Sequence, residues 1–99
     1  MMIELTKSSR VAYEALSDRD KKRLMVFYHQ IETEPNTLWK LYQAKKLPNI
    51  DNTYLLKLSE QLRAIVRIEG NKIIILEVVK HETLQRLFSS KAENRYEKI

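Results

Sequence analysis

The residues of this chain best suited to chemistry lie in one stretch, residues 57–81, which holds Lys57, Arg63, Arg67, Lys80 and His81. Apolar and polar residues alternate over Leu62–Glu69, which predicts a strand with Arg63 and Arg67 on one face and Leu62, Ala64, Val66 and Ile68 on the other. Two guanidiniums sharing a strand face are suited to gripping a phosphate, because the planar fork of donors matches its oxygens. An imidazole changes charge near neutral pH, so His81 is the proton-transfer candidate of this stretch. The same pattern also describes the solvated outer face of a one-sided sheet closed by a surface histidine. Lys45 and Lys46 are loop cations placed to touch a backbone phosphate. Phe88 and Tyr96 are aromatics able to stack on a base, although Phe88 also continues a Leu84–Leu87 core stripe. Trp39, beside Leu38, Leu41 and Tyr42, reads as core.

Several chemistries are excluded by what is missing. With no cysteine there is no disulfide framework, thiol nucleophile or iron–sulfur cluster. A single glycine cannot build a phosphate-cradling loop or a dinucleotide fingerprint. His29 and His81 stand far apart without ligand spacing, so neither a metal nor another cofactor is expected. Eighteen basic against thirteen acidic residues leave a net charge of +5 and a pI near 9.5, which favours a polyanionic partner, nucleic acid being the commonest. With 43% hydrophobic and 31% charged residues the chain is globular rather than disordered. The longest apolar run, Ile73–Leu76, falls far short of the ~20 residues of a membrane span. The N-terminus lacks a secretory pattern, so a cytoplasmic protein is expected.

The elements that must hold these residues follow from periodicity and punctuation. Met2–Thr6 alternates as a short strand. Ser8-Ser9 offers a helix cap ahead of Val11, Ala12, Ala15 and Leu16. Ser17 with Asp20 forms a capping box for a second helix whose stripe is Leu24, Phe27, Tyr28 and Ile31. Thr37 caps a short third helix, and residues 46–53 read as loop. Strands follow over Tyr54–Glu60, Leu62–Glu69 and Lys72–Lys80, the last two joined by a turn at Gly70. Glu82–Phe88 closes as a helix. This order predicts an α+β domain over residues 1–88, with one antiparallel three-stranded run, helices on one face, and a polar basic tail over 89–99.

The block from Tyr54 through Lys57, Arg63 and Arg67 to Ile68, and then from Gly70 to His81, resembles the RelE/ParE toxin superfamily. The resemblance implies the RelE-like fold and, on its RelE branch, a metal-independent endoribonuclease cutting messenger RNA on the ribosome. It further implies an adjacent-gene antitoxin partner, no membrane and no small-molecule cofactor. Matched by position, Arg63 would stabilise the phosphate, Lys57 would help activate the nucleophile or hold phosphate, and Phe88 would orient the scissile nucleotide. Tyr54 and Leu56 stand where a lysine-rich version of the family has lysines, so the proton-transfer role falls to His81. Arg67, Lys80, Phe88, Lys45 and Lys46 complete the expected RNA-binding set. The ParE branch, which poisons gyrase by binding, and a non-toxic nucleic-acid-binding module are the alternatives.

Overall fold

The structure, a computed structural model, describes residues 2–89, with side chains for residues 2–85. Tyr96, the expected tail and the side chain of Phe88 lie outside the described residues. In chain order the elements are β1 (Met2–Leu5), α1 (Lys7–Glu14), α2 (Asp18–Thr33), α3 (Thr37–Lys40), β2 (Lys45–Lys46), β3 (Thr53–Lys57), β4 (Leu62–Glu69), β5 (Lys72–Lys80) and α4 (His81–Ser89).

The helices begin where side-chain oxygens can take up free backbone amides. Ser17 accepts from the Asp20 amide at 3.2 Å and starts α2 as expected. The α1 cap is Thr6 rather than the serines, accepting from the Ser9 amide at 3.1 Å. Its hydroxyl also reaches the Leu76 carbonyl at 3.1 Å, which ties the start of α1 to β5. Asn36, not Thr37, stands at the cap of α3. That helix turns only Leu38 inward, while Trp39 and Leu41 stay about half exposed at 49% and 53%. Trp39 is therefore not core; its ring meets Tyr54 edge-on at 5.2 Å.

The sheet has five strands, not three, in the order β1-β5-β4-β3-β2. β1 runs parallel to β5, and the other neighbours are antiparallel. Lys45 and Lys46 form the edge strand β2, so they do not lie in a loop. One face carries the main core, in which Leu24, Phe27 and Ile31 of α2 meet Leu56, Leu62, Ala64, Val66, Ile73 and Ile75. The other face is not bare, contrary to the one-sided expectation. Leu84 of α4 packs there on Leu55 and Ile65, with Leu47 beside them. A bulge lets this happen. Ile65 pairs with Glu77 and Val66 with Ile75, so Leu76 is an extra residue that joins the second cluster.

Gly70 closes the β4–β5 hairpin at φ +60, and an added Cβ there would meet nothing within 4 Å. The expected cost of Gly70→Ala is thus conformational, about 1–2 kcal/mol in urea unfolding, with Gly70→Asn costing less.

Candidate active site

β3 and β4 are joined by a tight turn, residues 58–61, and the site is built on it. Ser59 organises the turn, its hydroxyl accepting from the Leu62 amide at 3.1 Å and the Gln61 amide at 3.3 Å. Arg63 locks it from below. Its Nη1 donates to the carbonyls of Ser59, Glu60 and Leu62 at 2.7, 3.2 and 3.3 Å. The residue is only 8% exposed, and burial lowers the guanidinium pKa from its usual value, partly opposed by Glu60. The sequence placed Arg63 on an open outer face. The correction has a physical cause: the 58–61 turn folds back over this end of the strand and its carbonyls take up the guanidinium. Among the described residues, Nε and Nη2 of Arg63 have no hydrogen-bond partner, so part of the fork remains for a ligand.

Lys57 pairs directly across from Arg63, which pairs on its other side with Val79; the three share a face. Glu60 swings back from the turn to hold Lys57 at 3.1 Å. That contact lowers the Glu60 pKa first of all, with further lowering from Arg63 and His81. His81 follows β5, and its amide donates to the Gln61 carbonyl at 2.7 Å, extending the ladder by one residue. Its Nδ1 is buried with no partner among the described residues. Such an orphaned ring nitrogen calls for explanation. Lys57, Glu60, Arg63 and His81 therefore gather at one end of the sheet. Glu60 was not among the residues singled out from sequence, because it was read as the end of a strand. Its spacing of three from Lys57 across a turn was the available signal.

The remaining candidates disperse. Arg67 shares the face but stands four residues along the strand, about 13 Å away at strand rise, so the two arginines cannot grip one phosphate. It sits 3.9 Å from Glu69. Lys80 pairs across from Leu62 and so belongs to the opposite, helix-covered face. There its Nζ meets Asp20 of α2 at 2.6 Å, an ion pair that removes it from the cluster. Lys45 pairs across from Leu55, which puts it on the cluster's face. Lys46 pairs across from Tyr54 and donates to the Ile50 carbonyl at 2.6 Å, bracing the 47–52 loop. Among the described residues no three His, Asp or Glu side chains gather as a possible metal-ligand set.

No family model matches the sequence, and no curated protein matches it. Solved structures do match in shape. The chain superposes on a structure of the RelB–RelE antitoxin–toxin complex from Methanococcus jannaschii with a TM-score of 0.71 at 16% identity, covering 86% of this chain and 98% of that one. For the archaeal RelE–RelB complex from Pyrococcus horikoshii the TM-score is 0.66 at 20% identity, with 80% and 92% covered. For the YoeB dimer from Staphylococcus aureus it is 0.64 at 19% identity, with 82% and 97% covered. The chain thus has the RelE-like fold, as the sequence resemblance implied.

Because Arg63 supports the turn, Arg63→Ala should destabilise the protein by about 2–3 kcal/mol, the range for hydrogen bonds to a charged group. Urea unfolding of Arg63→Ala beside Arg67→Ala, which should stay within ~0.5 kcal/mol of wild type, measures the difference.

Proposed function

We propose that this protein is the toxin of a type II toxin–antitoxin pair and an endoribonuclease that cuts messenger RNA on the ribosome without a metal. One observation carries the reading: a RelE-like fold brings Lys57, Arg63 and His81 together at one end of its sheet. That set meets the needs of phosphodiester transesterification. The RNA 2′-oxygen forms a bond to the adjacent phosphorus while the bond to the 5′-oxygen breaks, leaving a 2′,3′-cyclic phosphate and a 5′-hydroxyl. The 2′-proton must leave, the phosphorane gains negative charge, and the 5′-oxygen must be protonated.

His81 is the group for the 2′-proton. Lys57, 3.1 Å from the Glu60 carboxylate, is the cation and donor we assign to the phosphorane and the leaving oxygen. Arg63 supplies charge from the nitrogens that the turn carbonyls leave free. The lowered pKa of Glu60 makes it a weak base, which suits an orienting carboxylate. Two of the similar solved structures are complexes of RelE with RelB, and a cognate antitoxin is the partner we assign to this chain. Lys45 and Arg67 lie on the face along which RNA would approach.

His81→Ala should keep the fold and lose ~10²–10⁴-fold in cleavage, as when an acid–base group is removed. His29→Ala, on the exposed side of α2, should change activity little. The readout is mapping of messenger-RNA ends after induced expression, together with cleavage by purified protein on programmed ribosomes. Intact messages with broken chromosomal DNA would replace this reading with gyrase poisoning. Wild-type cleavage by His81→Ala would pass the proton-transfer role to Lys57.

A further inference from the structure

On the other side of the 58–61 turn, an open groove of about 770 Å³ runs between α2 and the turn. Arg19, Lys22 and Arg23 of α2 line it, opposite Ser59, Glu60 and Gln61, with the Asp20–Lys80 pair also in its wall. All three α2 cations are exposed, and none forms an ion pair among the described residues. Lys21 differs: it lies 3.7 Å from Glu14 and over the Tyr13 ring.

Within α2 these cations meet both attraction and repulsion: Asp18 lies four residues before Lys22, a favourable spacing. Arg19 stands three and four residues before Lys22 and Arg23, the spacings at which like charges repel on one helix face. Arg19 also sits in the first turn of α2, where the helix dipole disfavours a cation. A polyanion in the groove would relieve both penalties. Among the described residues Val26 is the only apolar side chain lining the groove, whereas a docked protein needs apolar anchors for its affinity. Spaced cations without apolar anchors suit a sugar–phosphate backbone. Glu60 belongs to both the groove and the Lys57–His81 cluster, so a strand leaving the cluster over the turn enters the groove.

We propose that this groove is a second RNA-backbone site, in which Arg19, Lys22 and Arg23 hold phosphates flanking the nucleotide at His81. The inference rests on the nuclease reading above and extends it to the opposite face of the sheet. The backbone could belong to the cleaved strand or to ribosomal RNA.

The test compares wild type with the triple variant Arg19→Ala/Lys22→Ala/Arg23→Ala. A control, Lys7→Ala/Arg10→Ala/Lys40→Ala, removes equal charge from exposed positions of α1 and α3. Fluorescence anisotropy over a range of KCl concentrations measures binding of fully 2′-O-methylated oligouridylates, which cannot be cleaved, as a 3-mer and a 12-mer. Co-sedimentation with isolated ribosomes is the second arm. The groove variant should bind the 12-mer at least ~10-fold more weakly, and its salt slope should fall by about 2, near 0.7 for each of three phosphate contacts on a single strand. The 3-mer and the control variant should change little, and thermal unfolding of the groove variant should not fall. A loss confined to ribosomes assigns the groove to ribosomal RNA; a loss on the free 12-mer assigns it to the cleaved strand. Equal 12-mer and ribosome binding by groove variant and control overturns the proposal while leaving the nuclease reading standing. Weakened binding of a polyglutamate 12-mer with RNA binding unchanged also overturns it and gives the groove to an acidic protein. A wild-type protein that binds neither oligomer nor ribosome removes the nuclease reading and the groove together.

Discussion

A guanidinium under a hairpin turn is the contact on which the functional end of this molecule depends. Burying a charged group is costly unless it is hydrogen-bonded, and Arg63 meets that condition with the Ser59 and Glu60 carbonyls of the turn and with the Leu62 carbonyl, which also accepts the Leu58 amide. The exchange works in both directions. The arginine is tolerated at 8% exposure because the turn is there, and the turn holds its shape because the arginine is there. Everything near the site inherits that rigidity. Lys57 precedes the turn, Glu60 lies within it, and His81 is laddered to its last residue. A residue that looks purely electrostatic therefore has a structural function as well, and its loss would disturb its neighbours along with its own charge.

Local signals were legible in the sequence. The Ser17 cap, the Leu24–Ile31 stripe and the Gly70 turn each depend on residues within a few positions of one another, and the structure contains all three, although Asp20 turns to Lys80 instead of closing a capping box. What the sequence hid was non-local. The parallel pairing of β1 with β5 joins segments some seventy residues apart, such as Met2 with Lys72, and no periodicity reports that. β2 is two residues long, too short for any pattern. The bulge at Leu76 shifts β5 by one residue, and α4 crosses to the face that alternation had assigned to solvent. Arg63 is buried on that same face, bonded to carbonyls of the 58–61 turn that alternation does not report. Lys80 and His81 were grouped because they are adjacent, yet neighbours on a strand point to opposite faces, and the pairing of Lys80 with Leu62 sends it toward α2.

That division at the end of β5 sets the electrostatics of the molecule. A buried carboxylate, Asp20, takes up Lys80 at 2.6 Å and fixes the end of the strand against α2. With the backbone held there, His81 is delivered to the other side with its amide already bonded to Gln61. The pair consumes one cation and one anion in a chain of net charge +5. The surplus stays with side chains such as Arg19, Lys22 and Arg23 on the α2 side of the turn. Asp20 also belongs to the helix that carries the groove cations, so the ion pair is a mechanical link between the two faces.

The 58–61 turn then separates two environments that differ in dielectric. On the α4 side Arg63 and the His81 Nδ1 are withdrawn from water, where a charge interaction counts for several times its value in bulk solvent. On the α2 side the cations stand in open solvent and are screened by salt over ~10 Å. A group that must act on a reacting phosphate gains from the first environment, because its field is fixed and little diminished. Groups that only have to hold a backbone gain from the second, since desolvation costs them little and long side chains can adjust to any sequence. The fold supplies both at one turn of chain, with Glu60 between them. Its exposed carboxylate holds Lys57 at 3.1 Å, and a phosphate backbone crossing the turn would compete with Glu60 for that lysine. The ion pair most easily broken in this region is thus the one that releases Lys57 toward a phosphate.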